Sequence, residues 1–433
     1  MEKRVVSRYN YYFSEDGKYL VYNSLTGAIS CVSEHTFHEL KNNNGKELEN
    51  CDRFLLEKGF VLDASKGFGE QACALGCYQN IEKSRRLQLA IIVTGKCNLR
   101  CVYCYEKFDK PKMSEGTQEE IVSYLKNTLP KYDSLYVGWF GGEPLLALDV
   151  IEVLSNKIIT LCQSLKKMYY ASITTNGVLL TRSYHKVLDR CKVDMFQITL
   201  DGGPEIHDRQ RVTPNGMGSY DKIYKNLLEM RNSDFRFIAT IRINIAKSTT
   251  INDAFKAFFK QLYSDFGKDP RFNLHLAAVS DLAGEQNGST DICSTYHLAP
   301  YYMEAQKAGF EFSRYKSLFK PAHLVCYAAN PNAYVIDADA TVHKCTVGLY
   351  DERNCIGYIK QGIMVLDKEK ENLWYEGIPS TKGKCTSCEL LPTCLGRFCP
   401  LERIQQNEIV CPPMKENLDM YMRIFLNESK TKD

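Results

Sequence analysis

Lys96-Cys97-Asn98-Leu99-Arg100-Cys101-Val102-Tyr103-Cys104-Tyr105 comes just after the apolar run Leu89-Ala90-Ile91-Ile92-Val93. A short apolar run of this kind reads as a buried strand, and the cysteines then fall in the loop at its C-terminal end. Three thiolates at this spacing can hold three corners of a cubane iron–sulfur cluster and leave the fourth iron without a protein ligand. A cluster wrapped by four cysteines is built to pass electrons, whereas an open iron can bind and activate a small molecule. Structural zinc is the competing reading, but it favours four closed ligands in paired Cys-x2-Cys knuckles, and only three cysteines are local here.

Apolar segments at 89–94, 134–140, 170–175, 195–200, 236–245 and 272–279 alternate with amphipathic segments such as 114–129 and 147–166. Strand–helix alternation implies a parallel sheet with right-handed crossovers. Six units are fewer than the eight of a closed barrel, so the expectation is an open (β/α)6 partial barrel over 87–300. Its ligands would sit on the C-terminal rim.

The N-terminal 65 residues read differently. Tyr9–Phe13 and Tyr19–Asn23 are expected strands joined by a turn at Asp16-Gly17, followed by a strand at 28–32. Ser33 is placed to cap one helix, and a second runs through Phe54-Leu55-Leu56 and stops at Gly59. The pattern is winged-helix-like. Residues 66–86 read as a polar linker with a helical stretch. Residues 296–316 read as a helix bridging to a cysteine-rich, turn-rich region that ends in a helix near 414–426, so that 301–433 forms the C-terminal domain.

The bulk numbers fit this division. A chain of 433 residues suits two or three domains, and 44% hydrophobic with 25% charged residues describes a globular protein. No run approaches the length of a membrane span, and the N-terminus shows no secretion signal, so a cytoplasmic protein is expected. A net charge of +3 gives no argument for nucleic acid. The outlier is cysteine: 18 of them, crowded into 97–104 and 326–411. In a large chain with ample core this points to metal or redox chemistry rather than a disulfide framework.

With these residues in view, the run Cys97-x3-Cys101-x2-Cys104 resembles the cluster loop of the radical S-adenosylmethionine superfamily. In that family the open iron binds the amino and carboxylate groups of the cofactor. Other landmarks are collinear: Trp139-Phe140-Gly141-Gly142-Glu143-Pro144, Thr174-Thr175-Asn176-Gly177, Thr199-Leu200-Asp201-Gly202 and His207-Asp208-x2-Arg211. Each alone is a turn or a helix cap. Together they look like the family's cofactor-binding loops, with Tyr103, Phe140, Gly141, Gly142, Glu143, Thr175, Asn176, Thr199, Asp201 and Arg211 as implied contacts. The glycines are expected to let backbone approach the ligand closely. The resemblance implies cleavage of S-adenosylmethionine to a 5′-deoxyadenosyl radical that abstracts hydrogen from substrate.

Cys385-x2-Cys388-x5-Cys394-x4-Cys399, followed by Cys411-Pro412-Pro413, resembles the SPASM extension of peptide-modifying radical enzymes, which usually holds two further [4Fe-4S] clusters and would bring the total to three. By that resemblance Cys385, Cys388, Cys394 and Cys411 ligate the outer cluster, and Cys399 joins Cys326 and Cys345 at the inner one. Cys355 is the candidate for the inner cluster's fourth ligand, and an open iron is the alternative. Two departures stand out: four residues rather than three separate Cys394 from Cys399, and Ala340 replaces a common glycine. A zinc ribbon on Cys385, Cys388, Cys394 and Cys399 is the plain alternative. Cys73 and Cys77, one helical turn apart, read as packed or idle thiols. No general base is assigned, with Asp337 and Glu285 as nearby acids.

The N-terminal module is similar to the peptide-recognition modules of enzymes that mature ribosomally made peptides, and would grip a precursor's leader by adding it as a strand to a sheet edge. The expected partners are therefore a precursor peptide and a small electron donor such as flavodoxin or ferredoxin, with no nucleic acid and no membrane. The expected product is an intrapeptide crosslink, thioether first and carbon–carbon or carbon–oxygen next. Two other readings stay open: an anaerobic sulfatase maturase forming formylglycine, and a non-catalytic iron–sulfur or zinc protein that binds peptides.

Overall fold

The structure is a computed structural model that describes residues 4–63, 76, 83–280, 291–293, 295–311, 313–375 and 384–430. Cys73, Cys77, Glu285 and most of the expected 66–86 linker lie outside the described residues. The chain groups into two compact units: Met1–Ser84 with Glu311–Pro331 and Leu373–Asp433, and Arg85–Phe310 with Asn332–Asn372.

In the first unit, β1 (Arg4–Val6) pairs antiparallel with β5 (Val61–Asp63), and β2 (Asn10–Glu15), β3 (Lys18–Asn23) and β4 (Ala28–Val32) form a three-stranded antiparallel sheet in that order. Two helices follow β4 under local control. Ser33 accepts from the Thr36 N–H at the start of α1 (Glu34–Asn42), and Gly59, at φ 76°, ends α2 (Arg53–Lys58) in the left-handed region. The sheet's period-2 alternation sends one set of side chains to each face. Tyr12, Tyr19 and Val21 pack with Phe37, Leu40 and Leu55. Phe13, Leu20 and Tyr22 pack instead with Phe319, Leu390, Met414, Leu418, Met422 and Phe425. The N-terminal sheet is therefore sandwiched, and the C-terminal helix Leu418–Lys430 closes its second face.

The second unit is built on β6 (Arg86–Thr94), which leads into the short β7 (Arg100–Cys101), then β8 (Ser134–Gly141), β9 (Met168–Thr175), β10 (Val193–Thr199), the short β11 (Arg211–Val212), β12 (Ile238–Ile245) and β13 (Phe272–Ala278). The six long strands run β13-β12-β10-β9-β8-β6, every neighbouring pair parallel. Crossover helices α3 (Glu115–Thr128), α4 (Leu148–Ser164), α5 (Arg182–Arg190), α6 (Pro204–Gln210), α7 (Tyr220–Arg231) and α8 (Asp253–Leu262) connect them. This is the α/β partial barrel.

Two expectations are corrected. The helix read over 296–316 is interrupted: α9 (Ala299–Ala308) ends at Gly309, whose φ of 115° cannot continue a right-handed helix. Regular structure also continues past Lys320. β14 (Ala333–Ile336) adds parallel to β6, and β15 (Thr341–His343), β16 (Cys355–Lys360) and β17 (Ile363–Leu366) extend the sheet antiparallel. Residues 332–372 thus group with the barrel strands and not with the rest of 301–433. No helix among the described residues is long and apolar enough to cross a membrane.

Candidate active site at the strand ends

The cysteine loop leaves the end of β6 and is pinned on three sides. Its own short strand β7 pairs antiparallel with β11, placing Cys101 opposite Arg211, and the Val102 N–H donates to Gln210 O at 2.9 Å. On a second side, the loop after β8 crosses it with almost no clearance. Gly142 N–H donates to Thr94 O at 3.0 Å and Glu143 N–H to Lys96 O at 2.9 Å. A Cβ on Gly142 would lie 2.5 Å from Gly95 O and 2.6 Å from Lys96 O, and one on Gly141 would lie 2.2 Å from Thr94 O. These glycines admit the chain's own backbone, which is the close approach the structure displays.

The third side is polar. Asn176, at the end of β9, donates through Nδ2 to Asn98 Oδ1 at 2.7 Å, and its backbone N–H donates to Glu143 Oε2 at 2.7 Å. Glu143 is fully buried, and its Oε1 accepts from Thr175 Oγ1 (2.7 Å) and Leu145 N–H (3.0 Å). One carboxylate thus ties the ends of β8 and β9 together, with four hydrogen-bond partners counted from both of its oxygens and its own N–H. Burial raises its pKa, and those donors, with the charge of Arg211, act against the rise.

Tyr103 turns inward. Its hydroxyl donates to Asp201, and it accepts from Arg211 Nη1 at 2.8 Å and Asn244 Nδ2 at 3.0 Å. Asp201 also accepts from Asn244 N–H at 2.9 Å, and Arg211 Nη1 lies 3.8 Å from its carboxylate. His207 Nδ1 accepts from Asp201 N–H at 3.1 Å, so the proton sits on Nε2, which faces Ser219 Oγ at 3.0 Å; that hydroxyl donates to Arg211 O. Burial, with Arg211 adding to it, lowers the pKa of His207 to about 2 and keeps the ring neutral. Asn244 and Ser219 were not picked out from sequence. Asn244 gives a faint signal as a polar residue set between Ile243 and Ile245 at the end of its strand.

Phe140 and Thr199 lie at the ends of β8 and β10 on the same rim. Burial pushes the thiol of Cys97 up to about 11 and that of Cys104 to about 12, and raises Cys101, with Arg211 opposing. Three mutually interacting thiols in so dry a setting become thiolates only beside positive charge, which a bound metal cluster provides. Among the described residues, no three His, Cys, Asp or Glu side chains converge as ligands of a single metal ion.

Asp337, at the end of β14, is not a free acid. It pairs with Lys110, which also reaches Asp339 at 3.1 Å, and His343 Nε2 lies 3.9 Å away. Lys110 follows the cysteine loop, and its carbonyl accepts from Gly95 N–H at 3.2 Å.

In the first unit, Cys385, Cys388, Cys394 and Cys411 line one small cavity with Leu390, Leu391, Ile409 and Lys415. Cys399 is not among its lining residues. Cys326 N–H donates to Arg397 O at 3.0 Å, alongside the 394–399 segment. Leu395 and Gly396 both take left-handed backbone, at φ 51° and 66°, and turn the four-residue spacer back on itself. In the second unit, Cys345 is held by Asn354, whose Oδ1 accepts from Lys344 and Cys345 N–H and whose Nδ2 donates to Cys345 O. Cys355 stands opposite His343 in the β15–β16 ladder.

Residues 91–256 match the family model described as the Radical SAM superfamily. A probable GTP 3′,8-cyclase from Methanocella arvoryzae is 33% identical over 137 residues, which is 31% of this chain and 40% of that protein. A cysteine-type anaerobic sulfatase-maturating enzyme from Clostridium novyi is 24% identical over 333 residues, 70% of this chain and 84% of the relative. Among solved structures, anSMEcpe with bound AdoMet and Cp18Cys peptide aligns at TM-score 0.61 and 20% identity over 80% of this chain and 100% of its own. Streptococcus suis SuiB bound to precursor peptide SuiA aligns at TM-score 0.51 and 17% identity over 93% and 97%. These two likenesses are of fold. With the six-stranded parallel sheet and the family match across its first five strands, the chain carries a radical SAM domain.

Proposed function

We propose that this protein is a maturase that crosslinks a ribosomally made precursor peptide, with a thioether from a substrate cysteine as the leading bond and a carbon–carbon or carbon–oxygen bond next. The observation that carries the reading is the joining, in one compact unit, of a four-cysteine cavity and a small sheet whose third strand, β4, pairs among the described residues only with β3. A free sheet edge can take an extended peptide as a further strand. SuiB, which aligns over 93% of this chain, is bound to its precursor peptide SuiA in the solved structure.

In this reading Cys97, Cys101 and Cys104 hold the first [4Fe-4S] cluster. Cys385, Cys388, Cys394 and Cys411 hold the outer auxiliary one, and Cys326, Cys345 and Cys399, with Cys355 as fourth candidate, hold the inner one. When bound, the first cluster with S-adenosylmethionine supplies a 5′-deoxyadenosyl radical. The chain's own residues bind and orient. Arg211 is buried and keeps its Nε without a partner, a donor suited to the cofactor's carboxylate. Asn176 and Tyr103 fix the loop, and the Gly141–Gly142 crossing seals one side of it from water.

The test is anaerobic reconstitution with reductant, S-adenosylmethionine and candidate cysteine-containing precursor peptides, read by mass spectrometry. A crosslink appears as loss of two hydrogens. The sulfatase-maturase reading, favoured by the relative from Clostridium novyi, predicts instead a cysteine converted to an aldehyde. An unmodified peptide with no cofactor cleavage would leave only the peptide-binding reading.

A further inference from the structure

We propose that the outer surface of the cysteine loop is the docking site of an acidic one-electron carrier protein, which delivers its electron directly to the first cluster; this rests on the reading that the loop holds that cluster. Residues 96–112 contain five lysines and arginines against two acids, Glu106 and Asp109. Two of the five are neutralised, Lys110 by Asp337 and Asp339 and Lys112 by Asp149.

The other three are exposed and held by neutral groups. Arg100 donates to Cys97 O and Leu99 O at 2.8 Å each, and its guanidinium lies 4.3 Å from the centre of the Phe108 ring. Lys96 Nζ donates to Phe108 O at 2.9 Å. Lys107 Nζ sits 4.2 Å over the ring of Tyr350. A carbonyl or a ring face fixes a cation in place without cancelling its charge, so these three project a field into solvent. Among the described residues, none of them meets a carboxylate within ion-pair distance. Val102, in the same loop, is 52% exposed and offers an apolar contact among the cations.

The contrast with the second cysteine group sharpens the choice of entry point. There Lys384 is paired with Glu408 at 3.0 Å, and Lys415 lines the cavity beside Cys388. A carrier with an acidic face is therefore drawn to the first loop, where Arg100 hydrogen-bonds the carbonyl of Cys97. The step is a plain electron transfer: the reduced carrier loses one electron, the cluster gains it, and no atom is exchanged.

The experiment uses the reconstituted full chain with flavodoxin as the probe. Calorimetry with oxidised flavodoxin reads binding, and stopped-flow absorbance with flavodoxin hydroquinone reads cluster reduction. At low ionic strength, Lys107→Glu is expected to weaken binding and slow reduction about tenfold, and Lys107→Gln about threefold, with both differences shrinking at high salt. Lys157→Glu, on the exposed side of α4, should change neither. Cofactor cleavage driven by dithionite should be the same in all of them. Unchanged flavodoxin binding in Lys107→Glu would overturn the proposal, as would a larger effect from Lys384→Glu, which would put carrier entry at the second cysteine group. Failure of dithionite to cleave the cofactor in the unaltered protein would strike the cluster reading instead, and the calorimetric comparison would still decide the docking site.

Discussion

The hydroxyl of Tyr103 donates to the carboxylate of Asp201, so the cysteine loop that leaves the first barrel strand is held by the end of the fourth. Arg211 and Asn244 complete the contact from two further segments. Tyr103→Phe removes one hydroxyl and takes a hydrogen bond from each of three buried partners at once. We expect a loss of about 1–3 kcal/mol in the stability of the barrel unit. Cofactor cleavage should fall by about tenfold as the loop loosens. Calorimetry and 5′-deoxyadenosine production measure the two, and unchanged values would show the contact to be dispensable.

Gly142→Ala tests the crossing. The added methyl would meet two backbone carbonyls within 2.6 Å, and no side chain can swing aside to relieve it. The loop must shift, and the reconstituted protein should lose about four irons, one cluster's worth, from the roughly twelve that the proposed three clusters imply, while its far-ultraviolet circular dichroism stays unaltered. A full complement of iron would show that the loop tolerates the displacement.

Ala340 stands in the turn between β14 and β15 with φ at 67°, and its N–H donates to Asp337 O at 3.0 Å. The left-handed region costs an L residue about 1–2 kcal/mol, and glycine relieves this at an entropic cost of about 0.4–1 kcal/mol in the unfolded chain. Ala340→Gly should therefore stabilise the barrel unit by up to about 1 kcal/mol, seen as a raised denaturation midpoint at constant slope.

His185 sits among Phe196, Phe235 and Phe237, with its ring centre 4.3 Å from that of Phe235. Burial, assisted by nearby Arg271, lowers its pKa to about 4. The unfolded chain takes up this proton near pH 6.5 and the folded chain only near 4, so the stability it contributes is complete above about 6.5 and lost as pH falls towards 4. The slope in that window is at most about 1.4 kcal/mol per pH unit. His185→Phe should flatten that part of the stability curve, and an unchanged slope would assign the dependence to other groups.

Deleting residues 1–63 would be a clean test of leader binding only if the module stood apart. Phe13, Leu20 and Tyr22 instead share a core with Met414, Leu418, Met422 and Phe425, and Ser24 Oγ donates to the carbonyl of Glu389, next to Cys388. The deletion should therefore yield aggregating protein that has lost the iron of the proposed auxiliary clusters. A soluble truncation with full iron content would refute the shared core.

Much of the barrel and its rim was legible in the chain. The six long strands, the cap at Ser33 and the stop at Gly59 are written in local patterns: period, turn chemistry and side chains that bond their own backbone. The cysteines and the Gly-Gly-Glu segment were visible as types at fixed spacing. Their connections were not, because Glu143 reaches Thr175 and Tyr103 reaches Asp201 across gaps of 32 and 98 residues that carry no periodicity.

The strand–helix alternation, the loop that carries Cys97, Cys101 and Cys104, and the turns of the N-terminal sheet follow from the residues alone, since each depends on neighbours a few residues away. Long-range packing set the rest: β14 pairs with β6, the C-terminal helix closes the N-terminal sheet, and Asp337 is neutralised by Lys110. Those are pairings between distant segments, chosen by burial and charge compensation once the chain has folded, and no local stretch of residues encodes them.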